Sequence, residues 1–271
     1  MEHGPGSILH RENWHDQLVE IIQNGDYRSL YFSSCLLQSR MSISSPEQLV
    51  LSYTRYMLLP LPAMADPQRI LIIGIGAGSL LRFCHHHFPQ CHIDAVDSSS
   101  RVIDLARGYF RLPDCAQVRV HCCEGHAYLR DIAENRYYDH ILVDAFDHNG
   151  MSETVYTAPF FQLCAKALNE NGKLSCNIWS GDNQRLQKIW EAMHKIFPGF
   201  LHVPIPGKGN IVVLAGPEQF PWHKFDQSRQ EWLALEKKFD LDFRAMLITT
   251  RRHNQNLLQR LTAQIRQMIM M

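Results

Sequence analysis

No stretch of this chain approaches the roughly 18 consecutive apolar residues of a membrane span. Its start, Met1-Glu2-His3-Gly4, has no signal-peptide core. A cytoplasmic protein without membrane contact is therefore expected. Net charge is also missing, because 27 Lys and Arg balance 27 Asp and Glu. That excludes nucleic-acid binding driven by bulk charge, and no nucleic-acid partner is expected. Charged residues are only 20% of the chain against 45% hydrophobic, a composition too apolar for a disordered chain. There is no internal repeat, no low-complexity tract and no C-x-x-C. With 271 residues, the chain has room for two domains at most, or one with appendages.

Eight cysteines are present, at positions 35, 84, 91, 115, 122, 123, 164 and 176. Most fall inside apolar runs, so they read as small buried hydrophobes in a reducing compartment. The cluster His121-Cys122-Cys123 with His126 has some metal character. Adjacent residues on a strand point to opposite faces, however, and no metal site is expected there. His85-His86-His87 reads as the solvated end of a helix.

Three zones follow one another. Residues 1–66 hold a hairpin signal: Leu18–Gln23, the turn Asn24-Gly25-Asp26, then Ser29–Ser33. Extended text at Cys35–Ile43 and a helix over Gln48–Leu59 complete this β-rich region, which ends at Pro60 and Pro62. Residues 67–216 alternate short apolar strands with helices of ten or so residues. This is the pattern of an α/β protein whose parallel sheet is covered on both faces. Near its end, Leu201–Val203 and Ile211–Ala215 flank the turn-rich 204–210 and are expected to pair antiparallel. Residues 217–271 form a helical extension, with Leu257, Leu258, Leu261, Ile265, Met268 and Ile269 at helical spacing.

The sharpest chemical signal is Ile70-Leu71-Ile72-Ile73-Gly74-Ile75-Gly76-Ala77-Gly78-Ser79. A buried strand runs into glycines that open a helix, where backbone can approach a ligand and helix N–H groups are free. Its G-x-G-x-G spacing places the third glycine one residue earlier than the nicotinamide fingerprint does. Asp97 ends the next strand, where a carboxylate can accept both hydroxyls of a ribose; it can equally cap the helix that follows. Glu124, before Gly125, ends the third strand and is either an adenine contact or an exposed loop acid. The fourth strand delivers Asp144, with Asp147 three residues on. Paired carboxylates at that edge can bind a cationic amine and take its proton, or cap a helix.

These residues, together with Glu153, Phe160-Phe161, Ala167-Leu168, Asn171-Gly172 and Asn177-Ile178-Trp179, resemble the spermidine synthase family of polyamine aminopropyltransferases. The glycine loop alone is shared with all class I S-adenosylmethionine-dependent methyltransferases. The resemblance implies a Rossmann-like seven-stranded class I methyltransferase fold, a small N-terminal β-rich region and assembly as a homodimer. It implies no tightly bound cofactor. The co-substrate would be decarboxylated S-adenosylmethionine, held by Gly74, Gly76, Gly78, Asp97, Glu124, Gly125 and Gln38. The acceptor would be a small-molecule amine or polyamine bound beside Tyr53 and Asp147, with Asp144 the base and Asp147 its partner.

The chain departs from the family at Ala77, where an aspartate usually meets the donor's amine, and at Glu124, which replaces an aspartate. The loop Pro206-Gly207-Lys208-Gly209-Asn210 lacks the tyrosine expected beside a diamine, and Lys208 would repel a polyamine if it faced the pocket. Two alternatives stand beside aminopropyl transfer. They are a methyltransferase using S-adenosylmethionine itself and a nucleoside-binding protein without turnover.

Overall fold

The computed structural model describes residues 6–14, 17–33, 36–132, 138–147 and 150–255. Strands β1 (Ser7–Trp14), β2 (Gln17–Asn24), β3 (Tyr27–Phe32) and β4 (Leu36–Ser42) form an antiparallel sheet in that order. The expected hairpin is β2–β3, turning at Gly25 with φ +55°. The flanking strand β1 was not anticipated. Its text, Ser7–Trp14, is exposed or half-buried along its whole length and carries no apolar alternation for a sequence reading to find. The sheet's inner face, Val19, Ile21, Leu30, Phe32 and Met41, packs on Ala77, Val102, Leu105 and Phe110. The N-terminal sheet thus braces the glycine turn directly.

The helix expected over Gln48–Leu59 is only one and a half turns long, α1 (Ser52–Met57). Leu51 is still extended at its start. Arg55 folds back to donate to the carbonyls of Leu49 and Val50, which therefore lie outside the helix. At the other end, Pro60 disfavours helical backbone at Leu59.

A seven-stranded sheet follows. Its members are β5 (Arg69–Ile73), β6 (His92–Asp97), β7 (Val118–Cys122), β8 (Tyr138–Val143), β11 (Leu168–Trp179), β12 (Phe200–Pro204) and β13 (Asn210–Ala215). Two short strands, β9 (Phe146–Asp147) and β10 (Gly150–Met151), pair beyond β8. The strand order is β12-β13-β11-β8-β5-β6-β7, with β13 antiparallel to both its neighbours and every other pair parallel. Strand β5, which carries the glycine turn, lies inside the sheet next to the central β8, and order reverses between the two. Open α/β sheets bind ligands at such a point.

Alternation along the strands feeds two cores. Ile70, Ile72, Leu142, Val212 and Leu214 face α1, α2 (Ser79–His87), α7 (Arg229–Phe239) and α8 (Phe243–Asn254). Leu71, Ile73, Val143, Cys176 and Ile178 face α4 (Gly125–Ile132), α5 (Ala158–Ala167) and α6 (Asn183–Ile196). Helix α3 (Ser100–Tyr109) contributes Ile103 to the first core and Val102 to the N-terminal cluster.

Cys84, Cys91, Cys164 and Cys176 are buried free thiols, as their apolar surroundings suggested, whereas Cys122 is exposed. Cys35 lies outside the described residues. His121 is engaged by Asp94 at 2.9 Å. Helices α7 and α8 form the described part of the C-terminal extension; the helical pattern at 257–269 lies outside it. Among the described residues, no helix is long and apolar enough to cross a membrane.

Candidate active site

The glycine turn has no room for a side chain at its first and third glycines. Gly74 takes φ +92°, and a Cβ there would stand 2.1 Å from the carbonyl oxygen of Asp144. Gly78, at φ +76°, would drive a Cβ to 2.5 Å from Leu112. Both the conformation and the close approach require glycine. The Gly74 N–H donates to the Val96 carbonyl (2.8 Å), and the Asp144 N–H donates to the Ile73 carbonyl (2.8 Å). The turn is therefore locked between the ends of β6 and β8. Helix α2 starts at Gly78 with no side-chain cap, leaving its first N–H groups available. Behind the turn, buried Arg82 donates to the carbonyls of Ala77, Phe110 (2.7 Å) and Pro46 (2.8 Å). Burial and the nearby Arg111 charge lower its pKa to about 10.

Asp97 is not the cap of α3. Ser99 caps that helix, its hydroxyl accepting from the Val102 N–H at 3.1 Å. Asp97 instead accepts from the Ile75 N–H (2.8 Å) and the Ser99 N–H (3.0 Å), so one carboxylate ties the glycine turn to the end of β6. Burial raises its pKa and Glu124 adds to that rise, while the N–H groups of Ser99, Ile75 and Gly76 oppose it. Glu124 lies next along the same edge, since Asp97 pairs with Cys122 across β6 and β7. It is exposed and accepts from the Thr154 hydroxyl at 3.0 Å. Gly125 behind it is buried, with Ile73 Cγ2 2.5 Å from where its Cβ would be.

Gln38 is the extra residue of a β-bulge: Leu30 pairs with Ser39 and Tyr31 with Leu37, leaving Gln38 unmatched. Its neighbour Ser39 lies 3.3 Å, hydroxyl to hydroxyl, from Ser79 in the first turn of α2. The bulge therefore sits beside the glycine turn.

Asp144 follows β8 at the same sheet edge. One oxygen accepts from the Tyr53 hydroxyl (2.9 Å) and the other from the Asn177 amide (2.8 Å). Asn177 in turn accepts from the Asn210 amide at 2.9 Å. Burial raises the Asp144 pKa, and the bonds from Asn177 and Tyr53 only partly counter it. The same burial, with the Asp144 charge second, pushes the Tyr53 phenol far up, so it remains a donor. Tyr156 supports the strand end by accepting the Ala145 N–H at 3.1 Å, from a buried position with a left-handed φ of +65°. Asp147 pairs with Gly150 through its backbone, but its side chain lies outside the described residues.

The structure places two of the positions at which the chain departs from the family. Ala77 is fully buried against the N-terminal sheet. Lys208 is exposed in the β12–β13 loop, where solvent screens its charge. Asn177, Asn210 and Tyr156 were not singled out as site residues. Asn177 did carry a signal: an amide in the apolar run Ser175-Cys176-Asn177-Ile178 must find a partner once buried.

The strand order, the glycine turn and the acids at the ends of β6, β7 and β8 define the class I methyltransferase fold, here carrying an N-terminal β-sheet. Residues 51–206 match the model of the spermine/spermidine synthase domain. The polyamine aminopropyltransferase of Chromobacterium violaceum is 34% identical over 239 residues, covering 88% of this chain and 90% of that protein. That of Neisseria meningitidis serogroup A is 34% identical over 241 residues, with the same coverage. Spermidine synthase from Thermotoga maritima superposes with a TM-score of 0.69 over 90% of this chain and 84% of that one, at 18% identity. The chain belongs to the spermine/spermidine synthase family.

Proposed function

We propose that the protein transfers an aminopropyl group from decarboxylated S-adenosylmethionine to a small amine. The observation that carries this reading is Asp144. It is a half-buried carboxylate at the end of β8, oriented by Tyr53 and Asn177, with its pKa raised by desolvation. Such a group suits accepting a proton from an ammonium better than an exposed acid does.

In the proposed reaction, the Gly74–Gly78 turn admits the nucleoside to the backbone, Asp97 accepts from the ribose hydroxyls, and Glu124 with Gly125 and Gln38 borders the adenine. The acceptor enters as an ammonium beside Asp144, with Tyr53 and Asp147 as its neighbours. Asp144 takes one proton, and the freed nitrogen lone pair attacks the aminopropyl carbon bonded to sulfur. The C–S bond breaks, and its electron pair leaves with sulfur as neutral methylthioadenosine. A sulfonium is already a good leaving group, so the protein's contribution is alignment and removal of one proton. No bound cofactor takes part.

The accompanying assignments are a cytoplasmic homodimer with units 1–66, 67–216 and 217–271. The decisive assay is mass spectrometry of products formed from decarboxylated S-adenosylmethionine with 1,4-diaminobutane, and in parallel from S-adenosylmethionine. Aminopropylated amine supports the proposal; methylated amine replaces it with methyl transfer. Tight nucleoside binding with neither product replaces it with a binding protein.

A further inference from the structure

Linker residues 60–67 lead into the amino end of β5, and Phe88 lies between α2 and the amino end of β6. Together with one face of α7 they enclose a cleft of about 330 Å³, large enough for a small ligand. It lies at the end of the sheet opposite Asp97, Glu124 and Asp144, which stand at the carboxyl ends of β6, β7 and β8. The transfer reaction gives it no role.

The walls are apolar: Leu61, Met64 and Leu235, with the rings of Phe88 and Phe239. Over these rings stands an ammonium of the chain's own. Lys238 Nζ is 4.9 Å from the Phe239 ring centroid and 5.7 Å from that of Phe88, and it pairs with Asp66 at 3.1 Å. Two aromatic rings and a carboxylate are what recognises an alkylammonium ion. The Lys238 side chain is 44% exposed and that of Asp66 71%. An ion pair so exposed holds weakly, so the Lys238 head group can leave the rings for water. The described lining also has two acids, Asp66 and Glu231, against one base, Lys238. That balance favours a cation.

We propose that this cleft is a separate amine site. The ammonium of a linear aliphatic amine takes the place of Lys238 over Phe239 and Phe88, and its methylene chain lies along Leu61, Met64 and Leu235. Lys238 is then a tethered competitor, which confines occupation to high amine concentrations. The site is independent of the chemistry at Asp144.

The test is NMR titration, at constant ionic strength, of protein labelled with carbon-13 at its methionine methyls. Met64 is the methionine of the described lining, and Met64→Leu assigns its signal. n-Butylamine should shift that signal saturably, and n-butanol, the same chain without the charge, should shift it far less. Lys238→Ala removes the competitor and should tighten n-butylamine binding about 3- to 30-fold. Adding Asp66→Asn to that variant removes the partner charge and should lose about 2- to 5-fold of the gain. Both positions are exposed, so the variants should fold as wild type does. Equal shifts by amine and alcohol would leave only an apolar cleft and overturn the proposal. So would a Lys238→Ala variant that binds no tighter than wild type, a double variant that keeps the full gain, or no saturable shift in wild type and Lys238→Ala alike. Turnover plays no part in the readout. Failure here leaves the transfer reaction standing, and absence of transfer leaves this site standing.

Discussion

The missing Cβ of Gly74 would stand 2.1 Å from the carbonyl oxygen of Asp144, closer than any non-bonded contact allows. The turn assigned to the donor and the acid assigned to the acceptor therefore share one backbone junction. Gly74→Ala must relieve both this overlap and a φ of +92°. Backbone strain of about 1–3 kcal/mol, with a similar overpacking cost, predicts about 2–6 kcal/mol of lost stability. Denaturant unfolding would measure it. Any folded fraction should bind nucleoside poorly and turn over slowly, because displacing the turn also displaces Asp144. Wild-type stability in this variant would show that the junction yields more easily than its geometry implies.

Asp144→Asn keeps the shape of the side chain. Its carbonyl can still accept from Asn177, and the Tyr53 hydroxyl can turn to accept from the new amide. Turnover should fall about 10²–10⁴-fold, with little change in nucleoside affinity. Stability should move the other way. The folded pKa of Asp144 is raised, so the native state holds its proton more tightly than the unfolded chain does. That contribution is fully present below the unfolded value of 3.8 and is lost as pH rises through the folded pKa. Asp144→Asn should therefore be more stable than wild type near neutral pH, with the gap closing in acid. Thermal unfolding across pH would show this, and a variant less stable at every pH would contradict it.

Tyr53→Phe removes one of the two bonds that counter the effect of burial on Asp144. The Asp144 pKa should rise further, and the base form should be reached only at higher pH. The acidic limb of the pH–rate profile should move upward. Loss of a hydrogen bond to a charged group should also lower kcat/KM at neutral pH by about 10-fold or more. A profile that keeps its acidic limb while activity drops would mean that Tyr53 contacts substrate rather than tuning the acid.

How much of this was legible beforehand depended on range. The β5–turn–α2 unit and the strand-end positions of Asp97, Glu124 and Asp144 are local, written in apolar runs broken by glycine or acid. The antiparallel β12–β13 pair was also local, marked by the turn at 204–210. Tyr53 came from family likeness alone, because its bond to Asp144 spans 91 positions and leaves no local pattern. The support from Asn177 and Asn210 is equally remote, and it became visible only when β11, β13 and β8 lay side by side. Strand β1 was missed because it buries too little to alternate. The Gln48–Leu59 helix was overestimated because apolar spacing continued where Arg55 had drawn the backbone carbonyls away from helical partners. At Ala77 the sequence showed the change of residue but not its burial, which depends on a sheet built from residues 7–42.

The last prediction separates binding from capping at Asp97. Sequence alone allowed either role, and the structure gives the cap to Ser99. Ser99→Ala should cost about 1 kcal/mol of stability and leave nucleoside affinity nearly unchanged. Asp97→Ala should weaken nucleoside binding by about 1.5–3 kcal/mol, the range for hydrogen bonds to a charged group. It would also free the Ile75 N–H that positions the glycine turn, so Asp97→Asn is the cleaner comparison. The asparagine keeps an acceptor for that N–H but loses the charge and one acceptor oxygen. Its binding should be intermediate. Because burial raises the Asp97 pKa, wild-type nucleoside affinity should strengthen as pH rises through that titration, above the ordinary carboxylate value of 3.8. The asparagine variant should show no such slope. Parallel slopes in both proteins would assign the titration to another group, and unchanged affinity in Asp97→Ala would leave Asp97 as a tether for the turn with no part in holding ribose.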